Sequence, residues 1–257
     1  MSEQDYVSPE HLFHFVGRRL SCPDEQFQCL LKILRDGVIS HPPHDKSWGK
    51  RSLTLSRPGR LSDGDLIYAD MTCFADIPVG ALGIHISKYS PFGLSFPRRL
   101  LLKHGARPVM YLPYWGNEPY HSPYGDNILA DIEAADDALN QLVERIDRKG
   151  ARRTRLIGAT PTEDDKIIEL AQTVLNLHFM AFAQPFDPNL PKDDPNNHYM
   201  EREWRKLGNM MFGSEDVGHV FVPKGYEDAL SAALPSYAPS AKVIVVAFAT
   251  PERSRPG

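Results

Sequence analysis

Eight consecutive residues, His198 to Arg205 (HYMEREWR), bring together two carboxylates, two guanidiniums, an imidazole, a phenol and an indole. A loop rich in proline and aspartate (188–197) leads into them, and the pattern predicts a strand that begins as the chain leaves the surface. Side chains two apart on a strand share a face. Tyr199, Glu201, Glu203 and Arg205 would therefore lie on one side, with Met200, Arg202 and Trp204 on the other. Glu201 and Glu203 would stand about 7 Å apart along that strand. Burying both is costly unless they are paired or used in chemistry. One reading is a solvated edge strand whose Glu and Arg residues neutralise each other. The other is a site.

Three kinds of chemistry can be set against that pair. Glycoside hydrolysis needs two carboxyl groups facing each other across a cleft, and neighbours on one strand point side by side instead. Acyl transfer by a Ser-His-Asp triad would call for a nucleophile elbow, and no G-x-S-x-G occurs. Transfer of ADP-ribose from NAD fits better. There one Glu stabilises the cation formed as nicotinamide leaves, and a second Glu two residues earlier orients or deprotonates the acceptor.

The elements that would position such a site can be followed along the chain. At 257 residues, 42% hydrophobic and 24% charged, the composition is that of one folded α+β domain, expected over 11–249 between a polar start (1–10) and a tail (250–257). The net charge of −4 decides neither for nor against nucleic acid, since a basic face can sit on an acidic chain. Three cysteines without metal-ligand spacing point to a reducing cytoplasm and to no metal. No apolar run reaches membrane-span length and no signal peptide opens the chain, so no membrane partner is expected.

His11 to Val16 alternates as a short strand ended by Gly17, with Leu12, His14 and Val16 on one face. His14 there is either a satisfied core histidine or a group that holds a ligand. Ser21, Pro23 and Asp24 open a helix that Gly37 closes, with Phe27, Leu30, Leu31 and Leu34 as its buried stripe. A long loop spans 41–65. Its His41, His44 and Asp45 could meet a metal, but two prolines hold the imidazoles apart. Strand character follows from 66 to 74, a helix from 79 to 89, a strand at 92–96, a helical turn to His104 and a strand at 108–112.

A second aromatic loop, 115–124, precedes the clearest helix, Asp126 to Lys149. Its stripe is Ile128, Ile132, Ala135, Leu139, Leu142 and Ile146, with Asp136, Asp137 and Glu144 on the outer face. Arg152, Arg153 and Arg155 make a small basic patch that solubility explains better than RNA binding does. Thr162 with Asp165 starts another capping box for a helix to about Leu177, so a helical insertion is expected at about 126–177. Residues 178–186 read as strand, 218–223 as strand, 226–234 as helix and 241–248 as a β-branched final strand. The elements interleave without a regular βαβ order, which favours a mixed central sheet with flanking helices.

An early-strand histidine, a mid-chain strand with Ser or Tyr and a late strand with Glu occur here as His14, Ser95 with Tyr89, and Glu203 with Glu201. That order resembles the ADP-ribosyltransferase superfamily. The resemblance implies an ADP-ribosyltransferase-like architecture and NAD as a substrate. It implies Glu203, Glu201 and His14 as the catalytic set, and His14, Tyr89, Phe92, Ser95 and Tyr199 as nucleotide contacts. The acceptor would be protein or nucleic acid.

A second resemblance rests on longer segments. His11 to Phe15, Leu31 to Gly37 (LKILRDG), Cys73-Phe74-Ala75-Asp76-Ile77-Pro78, His85 with Lys88-Tyr89 and Phe92-Gly93-Leu94, Pro108 to Tyr111, and Tyr199 to Arg205 are similar to the AbiGi family and occur in its order. That family is described as the antitoxin partner of a two-gene abortive-infection system against phage. A long polar stretch at 115–165 departs from it. The resemblance implies antiphage defence and a cognate toxin as partner. It leaves open whether the chain is an NAD-using enzyme or a binding protein that covers the toxin.

Overall fold

A computed structural model describes residues 10–20, 22–40, 53–55, 67–78, 82–113, 123–148, 162–191, 194, 196–235 and 243–246. The histidine segment at 41–45, most of the loop at 115–124, the arginines at 152–155, Ser21 and both terminal stretches lie outside these residues. In order, the elements are β1 (His11–Phe15), α1 (Pro23–Asp36), β2 (Val38–Ile39), β3 (Leu53–Leu55), β4 (Ile67–Ala69), β5 (Met71–Ala75), α2 (Leu82–Lys88) and β6 (Gly93–Pro97). Then come α3 (Arg98–Lys103), β7 (Arg107–Pro108), β8 (Met110–Pro113), α4 (Pro123–Arg148), α5 (Glu163–Gln172), β9 (Ala183–Phe186) and β10 (Glu203–Leu207). β11 (Met210–Met211), β12 (His219–Pro223), α6 (Glu227–Ala233) and β13 (Val243–Val246) complete the set. The protein is α+β, as its interleaved pattern predicts. Two compact units divide the chain: Met1–Arg51, Asp70–Pro108 and Met200–Gly257 form the first, and Ser52–Ala69 with Val109–Tyr199 form the second.

The first unit is built on a seven-stranded sheet in the order β13-β12-β6-β1-β5-β10-β7. Only the β12–β13 pair is parallel; the other five are antiparallel. Alternation along the strands buries both faces. Leu12, Phe74, Leu94, Phe96, Val220 and Val222 face α1, whose Phe27, Leu30, Leu31 and Leu34 are all buried as the helical spacing predicts. Phe13, Ala75, Phe221 and Val246 face α2 through Leu82 and Ile86. Each such Val, Leu, Ile or Phe side chain contributes about 1.5–3 kcal/mol when fully buried.

Helix α1 has proline at its start and Asp24 and Glu25 in the first turn, where they complement the helix dipole. Its N-cap is Cys22, which makes no side-chain cap bond. Gly37 ends it at φ 61, its N–H donating to the Ile33 carbonyl. A Cβ at Gly37 would lie 2.7 Å from the Phe212 carbonyl oxygen, so glycine is required there twice over.

The strand expected from His198 starts only at Glu203. His198–Glu201 is instead a 3-10 turn, and Arg202 takes the left-handed conformation at φ 47. The Asn197 side-chain amide donates to the carbonyls of Leu190 and Pro191, which holds the preceding loop curled. No β-branched residue between 198 and 202 opposes the turn.

In the second unit β8 and β9 pair in parallel, and β3 and β4 antiparallel. Leu112, Met180 and Ala183 pack with Leu129 and Ile132 of α4. The stripe expected on α4 is met only in part. Of its members Ile132 is buried and Leu139 and Ile146 are half-buried, while Ile128, Ala135 and Leu142 are exposed; among the described residues Leu129 and Asp136 are buried beside Ile132. Among the clustered apolar residues, α4 contributes only from its first half, so the apolar spacing further along does not find a core. The Asn140 amide donates to the backbone carbonyl of the buried Asp136. The capping box of Thr162 and Asp165 forms as expected. The helix it starts runs past Gln172 into a π-helical stretch, Thr173–Phe179, and a 3-10 turn, Met180–Phe182. The strand expected from 178 therefore begins only at Ala183.

Candidate functional site

Strand β10 lies antiparallel to β5 with Glu203 opposite Ala75 and Arg205 opposite Cys73. Directly opposed residues of a ladder share a face. Glu203, Arg205 and Cys73 therefore project on the α2 side of the sheet, with Phe13 and Phe15 of β1. The Glu203 carboxylate is gripped by Arg205 through both nitrogens, Nε at 3.0 Å and Nη2 at 2.9 Å. Both side chains are nearly buried. A planar fork of this kind is the strongest geometry open to a carboxylate and a guanidinium.

Glu201 lies at the end of the 3-10 turn and is buried. Lys88, the last residue of α2, donates its ammonium to the Glu201 carboxylate inside the unit. Tyr89 follows it, stacked with Phe15 and His85 at centroid distances of 5.9 and 6.4 Å. Its hydroxyl donates to Glu201, and burial first, then the Glu201 charge, push its pKa far above the ordinary range. The Arg18 guanidinium covers the same ring at 4.9 Å.

Arg202 points its guanidinium at Asp76, Nη2 to Oδ2 at 3.4 Å. Asp76 is buried, accepts from Arg98 at 3.2 Å, and donates its backbone N–H to the Glu201 carbonyl. Arg98 in turn lies over the Trp204 ring. Cys73 keeps one flank open to solvent while protein crowds its other sides. Desolvation first, then the neighbouring Glu203 charge, raise its thiol well above the usual range, so it stays protonated and weakly nucleophilic.

The structure brings together Glu201, Glu203 and Tyr89 of the residues singled out from sequence. His14 is placed elsewhere. It stands beside Phe74 on the α1 face of the sheet, at a ring distance of 5.7 Å, with Nδ1 2.9 Å from the Cys73 carbonyl oxygen. His14 and Glu203 thus occupy opposite faces. Phe92 packs in the α1 core against Phe27 and Tyr226. Ser95 is fully buried, 2.9 Å from Nδ1 of His219, whose ring meets His11 edge-on. Tyr199 belongs to the second unit, where it stacks on Phe186 and meets Tyr111 edge-on.

Lys88, Asp76 and Arg98 complete the network without having been assigned a role from sequence. Asp76 and Lys88 lie within the segments Cys73–Pro78 and His85–Leu94 that carry the resemblance, and Arg98 follows the second by four residues. What a single sequence withheld was the pairing: Lys88 meets Glu201 across 113 positions. Among the described residues no group of three His, Cys, Asp or Glu could hold a metal, and no helix is long and apolar enough to cross a membrane.

The comparisons bear on the same segments. No curated protein and no solved structure matches the chain. A family model described as "Putative abortive phage resistance protein AbiGi, antitoxin" matches residues 68–238, two thirds of the chain, from β5 through α6. The segments His11 to Phe15 and Leu31 to Gly37 precede that span. The three phrases that form the charge network lie within it, and the chain belongs to the AbiGi family of abortive phage resistance proteins.

Proposed function

We propose that the protein is a non-catalytic antitoxin that binds and neutralises the toxin of its own abortive-infection pair. The observation that carries this reading is the closure of the charge network. Glu201, Glu203 and Asp76 are each bonded to a cation of the same unit, Glu203 to its own strand neighbour Arg205. A carboxylate that must stabilise a transient cation works best when that cation replaces solvent rather than a resident guanidinium. Here the Lys88–Glu201 pair ties the end of α2 to the turn before β10, and Asp76, just after β5, ties that turn to α3 through Arg202 and Arg98, which is what a rigid binding scaffold needs. The family description as antitoxin supports the same reading. Three free cysteines suit a reducing compartment, so the cytoplasm is where we place it.

A second reading has one observation in its favour. The Tyr89 hydroxyl donates to Glu201 and also feels the Glu203 charge, so a phenol and two carboxylates lie near one another. Transfer of ADP-ribose from NAD to a protein or nucleic-acid acceptor would use such a pair, with Glu203 as the catalytic acid residue. Co-expression with the protein encoded by the adjacent gene separates the two. The double variant Glu203→Gln/Arg205→Gln removes the carboxylate without orphaning a cation. Antitoxin action predicts that this variant, once shown to be folded, still rescues growth. Loss of rescue with toxin binding retained, together with NAD-dependent label transfer by the wild type alone, would establish the enzyme instead.

A further inference from the structure

Helix α5, in the second unit, caps its first turn with Thr162 and Asp165 and buries Ile168. Its other side is unusual. Ile167, Leu170 and Val174 are spaced by three and four residues and so fall on one face. They are 58%, 64% and 50% exposed. Large aliphatic side chains scattered singly on a surface need no explanation, but three in register along one helix do. The strip continues toward Phe179, also exposed, through the π-helical stretch Thr173–Phe179. Helical distortions of that kind concentrate at functional positions. Glu163, Asp164 and Glu169 are exposed on the same helix against one exposed cation, Lys166.

This is the pattern of a helix that docks into a groove, with anchors at i, i+3 and i+7. We infer that α5 and the start of its π-helical continuation are the element that enters the toxin, with Ile167, Leu170 and Val174 in an apolar groove and the acids against a lysine- or arginine-bearing rim. The inference rests on the antitoxin reading above and gives it a surface. Occupancy by a protein follows from the aliphatic anchors, and the basic rim follows from charge complementarity with an acid-rich helix.

The test uses the full chain co-expressed with the protein encoded by the adjacent gene. Affinity is measured for the wild type and for Ile167→Asp, Leu170→Asp and Glu163→Lys/Asp164→Lys. Circular dichroism and melting confirm that each variant is folded; the substituted positions are exposed, so they should be. Each aspartate should weaken binding by at least about 10-fold, as expected of a truncated anchor at an interface centre. The lysine pair should slow association and flatten its salt dependence. Wild-type binding that all four substitutions leave unchanged would overturn the docking surface while keeping the antitoxin reading. No binding by the wild type would overturn the antitoxin reading itself. If instead light scattering shows a wild-type dimer that Leu170→Asp converts to monomer, with toxin binding intact, the strip joins two copies of this chain and the proposal fails.

Discussion

Lys88 and Glu201 form an ion pair in the interior of the first unit, joining the end of α2 to the turn before β10. Their side chains are 9% and 10% exposed, so water screens neither charge effectively. Removing one partner of such a pair leaves the other desolvated and uncompensated, at a cost of about 3–5 kcal/mol. Lys88→Met and Glu201→Gln should each show that loss in denaturant unfolding. Lys88→Met with Glu201→Leu should recover part of it, because an apolar pair leaves no buried charge while the Tyr89 hydroxyl still loses its acceptor. Equal destabilisation in the single and double variants would mean that the pair does not act as a unit.

Arg202 tests what the turn before β10 costs. A residue with a Cβ at φ 47 lies about 1–2 kcal/mol above its right-handed conformation. Arg202→Ala keeps that strain and loses the contact with Asp76. Arg202→Gly loses the same contact but relaxes the backbone. The half-exposed Arg202 contact is worth at most about 1 kcal/mol. Glycine should therefore be the more stable of the two variants by about 1 kcal/mol. Urea midpoints of the pair check it, and an alanine variant at least as stable as glycine would refute the strain.

Tyr226 sets a prediction for alkaline pH. Its hydroxyl donates to Asp24 at 2.6 Å, and that bond, with burial second, raises its pKa to about 12. In the unfolded chain a tyrosine releases its proton near about 10. Between those values the native state holds a proton that the unfolded state has lost, so stability falls as pH rises through the window. Below it the contribution is fully present. Tyr226→Phe should remove this part of the alkaline slope. Tyr89 moves in the same direction, from burial and the Glu201 carboxylate, and should extend the loss to higher pH. Tyrosinate absorbance during titration reports both groups.

Local chemistry made parts of this molecule readable from residue order. Helix α1 follows from its proline start, its glycine stop and four leucines and phenylalanines at helical spacing. The fork between Glu203 and Arg205 follows from strand alternation, because both ends lie on one element. The failures have a common source. His14 and Glu203 could be placed in one cleft only by knowing the register of β1 against β5 and β10. A shift of one residue exchanges the faces of a strand, and no single sequence fixes that register. The α4 stripe is met only in part because exposure depends on what lies opposite the helix. The turn at His198–Glu201 failed because Asn197 bonds to carbonyls six and seven residues back, a tertiary preference that overrides strand spacing.

Gly218 supplies a last test, at the cluster of Ser95, His219 and His11. A Cβ there would lie 2.3 Å from the His11 ring and 2.9 Å from the Ser95 hydroxyl, with His219 already bonded to that hydroxyl. His11 could yield only by leaving its edge contact with His219. Gly218→Ala should cost about 1–3 kcal/mol, the usual range for overpacking. Ser95→Ala should cost about 1 kcal/mol, the net value of one hydrogen bond. The decisive comparison is the cycle with His11→Ala. If crowding against the imidazole is the cause, the cost of Gly218→Ala should shrink in the His11→Ala background, giving a favourable coupling of at least about 0.5 kcal/mol between the two substitutions. Strict additivity would assign the cost of Gly218→Ala to the backbone at that turn and not to the histidine packed against it.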